Sequence, residues 1–395
     1  MNTRERFLAV MEFEPCDRTL LWEWGYWGGT VQRWYDEGLP RRKGLCGHVE
    51  FGGTLAGPGA AWRSGVLNVE DAEDVADFCE FDRGRETVPL QNFIFPAYDE
   101  EVLDDDGDNL IVRTAFGTVI QKRKDDASVP QPLSWPVQTR DDWERVKAER
   151  FQTILEQRLP EDWDRYVAEY RTRDYPLSIA SGYCGFFGSL RELMGDVNLL
   201  MAYYDRPELL HEIANYLTEF WIEIYGHVLQ DVEVDSAEFW EDMCFKTGPL
   251  ISPALFREFM MPYYKRLIGF LRANGVRHFC VDTDGNCTQL IPLFIECGIT
   301  GMLPFEVQAG MDIIEVREQY PQLQIYGGLD KNLVAQGKDA IDRELERKMP
   351  PLLKQGGYVP FVDHIVHPDI SWENFAYYRR RVRELALQYG SGKGE

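Results

Sequence analysis

Short apolar runs alternate with long amphipathic stretches from residue 175 onward. An apolar run of strand length followed by an amphipathic stretch of helix length is typical of a parallel βα unit. The apolar runs are 177–180, 236–240, 276–281, 301–305, 323–327 and 358–361. With a further run at 19–24 they predict seven or eight units, and hence an α/β fold of the (β/α)8 TIM-barrel type. No Gly-x-Gly-x-x-Gly motif follows a predicted strand, which argues against a dinucleotide-binding sheet.

The amino-terminal part of the chain has a different pattern. Residues 110–113 and 119–122 flank a Phe-Gly pair at 116–117, which predicts a β-hairpin. No linker, repeat or low-complexity block divides the chain. We therefore predict a single domain over residues 1–395, in which residues 1–150 include an elaborated amino-terminal cap that contains the hairpin.

Charge and composition narrow the range of partners. The formal net charge of -24 repels nucleic acid and anionic membrane surfaces. No apolar run reaches the roughly 18 residues of a membrane span, and the first residues lack the apolar core of a signal peptide. We expect a soluble, cytoplasmic protein of undetermined oligomeric state. Its eight cysteines are scattered, which favours free thiols or metal ligands over disulfides.

A histidine and a cysteine stand two positions apart in the run 276–281, at His278 and Cys280. Alternation along a strand places both side chains on one face. An imidazole and a thiol that converge suit Zn²⁺ better than Mg²⁺ or Ca²⁺. We expect the strand to carry His278 to the carboxyl rim of the barrel, where such barrels hold their catalytic groups. The alternative is that Cys280 is only a small buried apolar residue.

Other polar residues follow the predicted strands and are candidates for catalysis at the same rim. They are Glu238, Glu241, Asp242, Cys244, Asp282, Asp284, Glu306, Asp330, Lys331, Asp363 and His364. Some have simpler interpretations: Glu238 and Asp242 can cap helices or form salt bridges, and Asp330 with Lys331 can be a loop ion pair.

Aromatic residues are concentrated at 22–27, where Trp22, Trp24, Tyr26 and Trp27 lie close together with glycines after them. One interpretation is apolar packing of the cap. The other is a flat, largely uncharged pocket for an aromatic or methylated substrate.

Several sequence segments together resemble those of the uroporphyrinogen decarboxylase superfamily. They are Thr-Arg-Glu-Arg-Phe-Leu-Ala-Val at 3–10, Gly-Pro-Leu-Ile-Ser-Pro at 248–253 with Phe256 and Pro262-Tyr263, and Gly-Gly-Tyr-Val-Pro at 356–360 leading to Asn374. The resemblance implies a (β/α)8 barrel with its cleft at the carboxyl rim. The superfamily contains porphyrinogen decarboxylases and zinc-dependent methyltransferases that work with corrinoid proteins.

Comparison with the two branches favours the methyltransferases. The decarboxylases carry an arginine-rich Met-Arg-Gln-Ala-Gly-Arg segment near the amino terminus, whereas residues 22–27 are aromatic and acidic here. An octa-anionic tetrapyrrole would be repelled by such a segment. The methyltransferase branch has His-x-Cys at a strand end, which His278-Phe279-Cys280 resembles, but its distal cysteine corresponds to Gly357. The resemblance implies Glu306 as the next zinc ligand and His364 as a second choice, with Cys244 and Glu241 also possible.

The resulting hypothesis is a zinc-dependent methyltransferase of the O-demethylase type. It would move a methyl group from a methoxylated, aromatic small molecule to the cobalt of a separate corrinoid protein, since nothing in the chain resembles a corrinoid-binding module. We expect Asp282, Asp284 and Glu241 to be catalytic and the aromatic residues at 22–27 to bind substrate. The alternatives are a decarboxylase-like lyase that acts on a smaller carboxylic acid, and a barrel that only binds a corrinoid or tetrapyrrole without catalysis.

Overall fold

The computed structural model describes residues 1–44, 72–124, 130–180 and 182–390, together with the backbone of a short strand at 54–55. The strands are β1 Tyr26–Trp27, β2 Thr54–Leu55, β3 Glu86–Thr87, β4 Glu101–Asp105, β5 Asn109–Arg113, β6 Val119–Arg123, β7 Gln131–Ser134, β8 Leu177–Ile179, β9 Ser236–Trp240, β10 Cys244–Phe245, β11 Gly248–Pro249, β12 His278–Asp282, β13 Gly301–Leu303, β14 Gln324–Tyr326 and β15 Tyr358–Val359.

Helices separate most of these strands. They are α1 Thr3–Met11, α2 Gly28–Asp36, α3 Glu73–Cys79, α4 Arg140–Arg150, α5 Leu155–Arg158, α6 Trp163–Arg171, α7 Gly188–Met194, α8 Asp196–Asp205, α9 Pro207–Asp231, α10 Pro253–Phe259, α11 Met261–Ala273, α12 Ile291–Cys297, α13 Ile313–Gln319, α14 Lys331–Ala335, α15 Lys338–Gln355 and α16 Trp372–Tyr389, with a 3₁₀ turn at Val307–Ala309. None of the helices in the described part of the chain combines the length and the apolar character that crossing a bilayer requires.

A seven-stranded parallel sheet forms the centre of the molecule, in the order β3-β8-β9-β12-β13-β14-β15. Its longest ladder joins β9 and β12 in register from Ser236 and His278 to Trp240 and Asp282. The sheet curls as a half-barrel, which is compatible with a TIM-barrel-like fold. Six of its seven strands correspond to the six apolar runs from 177 onward, and β3 was not predicted. Since all strands run in the same direction, their carboxyl ends meet at one edge.

The predicted strand at 19–24 is not a strand in the structure. Its residues lie between β3 and β15, the two outer strands of the sheet, and individual hydrogen bonds hold them there. Thr19 Oγ1 donates to the carbonyl oxygen of Tyr358 at 2.6 Å, and the amide of Asp82 donates to the carbonyl oxygen of Leu21 at 3.1 Å. The Leu21 amide is taken by the carboxylate of Asp82. Because side chains bind the Tyr358 carbonyl and the Leu21 amide, no regular ladder closes the barrel along this segment.

A separate four-stranded antiparallel sheet, in the order β4-β5-β6-β7, lies in the amino-terminal part. Its central pair contains the two runs interpreted as a hairpin, with Leu110 opposite Lys122 and Val112 opposite Ile120. That this sheet caps the barrel stays a prediction.

The buried apolar residues form two clusters. The larger one fills the space between the parallel sheet and the surrounding helices, and the smaller one lies inside the curl of the sheet. Phe7, Trp22, Cys280, Tyr326 and Phe361 belong to the smaller cluster. The interior of the half-barrel is therefore packed.

Candidate metal centre

Three side chains with metal-binding atoms meet at the carboxyl edge of the parallel sheet. One ligand atom from each of Asp284, Glu306 and His364 lies within 4.8 Å of the others. Asp284 follows β12, Glu306 follows β13 and His364 follows β15. The parallel arrangement of the sheet therefore brings together residues that are far apart in sequence.

Hydrogen bonds fix the positions of these side chains. Asp284 Oδ2 lies 3.4 Å from His364 Nε2, and Glu306 Oε2 accepts the amide of Gly285 at 2.8 Å. Gly285 adopts φ +73°, and a Cβ there would come within 2.5 Å of the carbonyl oxygen of Cys244. Only glycine fits this turn, which places Asp284 beside the loop that carries Glu306.

Negative charge accumulates around the three residues. Burial, and then the charges of Asp284, Asp242 and Glu306, raise the pKa of Asp282 well above its usual value. Burial and the charge of Asp284 also raise the pKa of Glu306. Burial opposes a charge on His364, yet its hydrogen bond and charge interaction with Asp284 outweigh that effect and raise the pKa of the imidazole. A bound cation would relieve this repulsion.

One atom of the cluster lacks a partner. Asp284 Oδ1 is buried and accepts no hydrogen bond from any residue in the described ranges. A buried carboxylate oxygen without a donor is costly unless a cation satisfies it. Two carboxylates and one imidazole are within the ligand range of zinc, and three protein ligands with an open position are typical of catalytic zinc. The donor set therefore fits the predicted zinc ion, although through Asp284 rather than through a thiol.

Asp363 joins the loops that support the cluster. Its Oδ2 accepts the amide of Val307 at 2.8 Å and its Oδ1 accepts the amide of Lys331 at 3.1 Å, with Lys331 Nζ 3.5 Å away. The residue is fully buried. Asp363 thus fixes the backbone next to both Glu306 and His364. The sequence placed Asp363 at a strand end but contained no signal for these bonds.

Asp242 lies on the β9 side of the cluster, where its charge acts on Asp282. Arg191 donates to its Oδ2 and to its carbonyl oxygen, each at 2.6 Å. Asp242 and Phe305, the residue before Glu306, both have positive φ, at 42° and 61°. Such backbone strain in residues other than glycine is concentrated at functional sites.

The expected position of His278 at the carboxyl rim is wrong. His278 is the first residue of β12, opposite Ser236 at the start of β9, and its Nδ1 accepts from Gln324 Nε2 at 2.9 Å. Cys280 lies in the middle of the strand, is 1% exposed and packs in the smaller apolar cluster. Within the described residues, neither belongs to a group of three potential ligands. The strand continues to Asp282, so the residues that it delivers to the rim are aspartates.

Glu241 was expected to be catalytic, but its carboxylate is already occupied. It accepts the amides of Phe186, Phe187 and Gly188 at 2.6–2.8 Å and the hydroxyl of Tyr264. The residue is fully buried. These four donors make Glu241 an anchor for the loop before α7.

The four aromatic residues at 22–27 separate in the structure. Trp24 packs edge-on against His364, with ring centroids 5.0 Å apart, and Trp27 lies in the same way against His367 at 6.3 Å. Trp22 is buried in the smaller cluster beside Phe7, and Tyr26 packs against Trp34 and Phe375. Of the four aromatic residues, only Trp24 has a ring contact with a member of the Asp284, Glu306 and His364 cluster.

A small cavity of about 50 Å³ opens at the carboxyl ends of β3 and β8. Phe93, Phe116 and Tyr183 contribute rings to its wall, and the lining contains no charged side chain. Tyr183 also contacts Trp240, at the end of β9. Since β8 and β12 are two strands apart and neighbouring strands are about 4.8 Å apart, this cavity lies about 10 Å across the rim from the end of β12.

Comparisons with known proteins agree with this fold. The solved structure of a methyltransferase from Methanosarcina mazei has a TM-score of 0.54 at 15% identity and covers 97% of this chain and 99% of that chain. A B12-independent methionine synthase from Shewanella sp. W3-18-1, solved in complex with selenomethionine, covers 56% of this chain and 62% of that chain at 14% identity, with a TM-score of 0.30 that is too low to support an argument. No curated protein matches the chain.

The family comparison is more specific. The model described as uroporphyrinogen decarboxylase (URO-D) matches residues 186–385, just over half of the 395 residues. This range contains β9 to β15 and all three residues of the cluster. The chain therefore belongs to the uroporphyrinogen decarboxylase family.

Proposed function

We propose that this protein is a zinc-dependent methyltransferase that moves a methyl group from a methoxylated aromatic compound to the cobalt of a separate corrinoid protein. The observation that carries the proposal is the cluster of Asp284, Glu306 and His364 at the carboxyl edge of the sheet. These residues would hold the ion. The fold shared with a methyltransferase and the family's known methyltransferase branch support this choice of reaction.

Charge at the rim supports an uncharged substrate. Asp242, Asp282, Asp284 and Glu306 act on one another there. A substrate with several carboxylates would add repulsion. An ether without a charge avoids this cost, which favours a methoxylated compound over a porphyrinogen.

The reaction breaks the bond between the methyl carbon and the ether oxygen. The methyl group would pass to the reduced cobalt of the partner, and the oxygen would leave with the bonding electrons as a phenolate. A zinc ion held by the cluster would supply Lewis acidity toward that oxygen. Asp282 would provide the proton that the phenolate takes up, since burial raises the pKa of its carboxyl group.

The uncharged cavity at Phe93, Phe116 and Tyr183 supports an aromatic substrate. Rings in its wall can stack on an arene. At about 50 Å³ it has room for a small substituent, less than the roughly 150 Å³ of a cavity that takes up benzene. Entry of a whole ring therefore requires Tyr183, which is only half-buried, to turn outward.

The test combines metal analysis with a methyl-transfer assay. We expect one zinc per chain, and methylation of a reduced corrinoid protein from methoxyarenes, followed by the cobalt spectrum. His364→Ala should strongly weaken zinc binding and abolish transfer, whereas the matched change His227→Ala, on the exposed side of α9, should affect neither. A protein that binds no metal, or that responds to methylthiols alone, would contradict the proposal.

A second candidate is a decarboxylase-like lyase that acts on a smaller carboxylic acid. The position of Asp282 favours it, because burial raises the pKa of this carboxyl group and an acid there can protonate the carbanion left after loss of carbon dioxide. This activity would persist after treatment with a chelator and would be lost in Asp282→Asn. Methyl transfer would instead be lost with the chelator.

A further inference from the structure

Trp24 carries an indole N–H without an acceptor. The residue is 6% exposed, and its Nε1 is buried with no hydrogen-bond partner in the described part of the chain. The indole nitrogen is a donor only, and buried donors in folded proteins nearly always have an acceptor. An acceptor from outside the chain would satisfy it.

The backbone holds Trp24 firmly. Its amide donates to Glu23 Oε1 at 3.2 Å, and the amide of Val362, two residues before His364, donates to the same oxygen at 3.2 Å. Glu23 is fully buried and pairs with Arg379 at 3.2 Å. Trp24 and the loop that carries His364 are therefore fixed to one carboxylate, and their ring contact follows from this arrangement.

Two residues next to the same imidazole each carry an unsatisfied polar atom. Asp284 lies 3.4 Å from His364 through Oδ2, and its Oδ1 has no donor; the ring of Trp24 lies 5.0 Å from the ring of His364, and its Nε1 has no acceptor. An ion would satisfy the carboxylate oxygen. An oxygen atom of a bound small molecule would satisfy the indole, and a ligand whose oxygen binds the ion would bring that oxygen next to His364.

We propose that Trp24 Nε1 donates a hydrogen bond to the oxygen of the bound methoxy compound and thereby selects oxygen compounds over methylated amines and thioethers. The inference deepens the proposed function and rests on it. An ether oxygen accepts a hydrogen bond, a methylammonium group has no free lone pair, and a thioether sulfur is a weak acceptor. The bond strengthens as the oxygen becomes a phenolate, so the donor acts mainly in the transition state.

The binding test uses the wild-type protein loaded with zinc and labelled with ¹⁵N in its indole groups. Phenol is the probe, since it presents the oxygen of the demethylated product. We expect the indole resonance of Trp24, assigned by its absence in Trp24→Phe, to shift downfield when phenol binds. The resonance of Trp143, whose Nε1 is also buried without a described partner beside Phe151 and Tyr216, should stay in place. Phenol binding, shown by calorimetry, without a shift at Trp24 would overturn the inference.

The kinetic test compares Trp24→Phe with the matched variant Trp143→Phe. Trp24→Phe should lower kcat for methoxyarenes by about 100-fold, the loss seen when one donor to a developing oxyanion is removed. Transfer from a methyl thioether, however slow, should be unchanged in both variants. If Trp24→Phe transfers from methoxyarenes like wild type, the inference fails while the proposed function stands; if wild type binds no zinc and transfers no methyl group, the proposed function fails first. If Trp24→Phe does not fold, triple-resonance assignment of the wild-type protein identifies the indole resonance of Trp24, and its response to phenol decides the question.

Discussion

His364 Nε2 lies 3.4 Å from Asp284 Oδ2 in a pair that joins the loop after β15 to the loop after β12. Glu306 completes the group from the loop after β13. The three residues come from separate βα units, so the cluster forms only when the sheet is assembled. Metal binding should therefore depend on the tertiary fold.

The first prediction concerns the choice of ligands. Loss of a residue that only hydrogen-bonds to a metal ligand typically weakens metal binding by roughly 10- to 100-fold. His364→Ala should weaken zinc binding by more than this, because it removes a ligand itself. His278→Gln should leave zinc affinity unchanged, since His278 lies at the opposite end of β12. Competition with a chromogenic chelator measures both affinities. The reverse order of effects would place the ion at the amino end of the strand.

The second prediction concerns the charge of the cluster. In the presence of a chelator, Asp284→Asn should raise the free energy of unfolding by on the order of 1 kcal/mol, because it removes one of several neighbouring negative charges. Wild type should gain about 2.7 kcal/mol from zinc at 100 times its dissociation constant, and the variant should gain far less. Thermal unfolding with and without zinc tests both statements. Lower stability of Asp284→Asn in the chelator would show that Asp284 stabilises the fold without an ion.

The third prediction assigns Glu241 to the fold. Glu241→Ala would leave three buried amides and the Tyr264 hydroxyl without their acceptor. We expect a loss of roughly 3 kcal/mol or more in the free energy of unfolding, measured with urea. The control Glu233→Ala removes a carboxylate whose side chain is 70% exposed and which pairs with Arg4, so it should cost less than about 1 kcal/mol. Equal stability of the two variants would show that Glu241 does not stabilise the fold and would leave a catalytic role open to it.

The fourth prediction concerns pH. Burial is the main cause that lowers the pKa of His278 to about 4, whereas in the unfolded chain it is near 6.5. Between these values the unfolded chain binds a proton that the folded chain does not, so stability falls as pH drops through this window. The total loss is about 3 kcal/mol at pH 4 and below, and none of it is present above pH 6.5.

Urea unfolding at several pH values measures this effect. His278→Gln should flatten the slope of stability against pH between 4 and 6.5, and His227→Gln, on the exposed side of α9, should leave it as in wild type. Other acid-sensitive groups are the same in all three proteins. A wild-type slope in His278→Gln would mean that this imidazole is protonated in the folded state.

Apolar runs predicted the sheet well because six strands of the parallel sheet are buried on both faces. The runs 177–180, 236–240, 276–281, 301–305, 323–327 and 358–361 all contain strands. The run at 19–24 does not, since Asp82 and Tyr358 take its hydrogen bonds. Apolar character reports burial, and a segment can be buried without a ladder.

The candidate site was harder to predict because polar residues occur inside the barrel as well as at its rim. His278 and Cys280 resembled the end of a strand, but both are buried, and the strand runs on to Asp282. Of the two aspartates before Gly285, which were interpreted as catalytic residues, Asp284 lies in the group of three side chains that could hold a metal ion. Glu306 and His364 were located from their positions after predicted strands, and the family resemblance suggested them as zinc ligands. The bonds of Asp363 and Glu241 depend on loops whose conformations the sequence does not reveal.

The closure of the barrel at Thr19 and Leu21 has a consequence for local dynamics. Strands joined by a ladder separate only when several bonds break together, whereas isolated bonds from Thr19, Leu21 and Asp82 can open one at a time. Amide protons along this seam should exchange with solvent sooner than those between β9 and β12. The sheet would then open transiently where residues 19–21 lie between β3 and β15. Trp24 lies at the end of this segment.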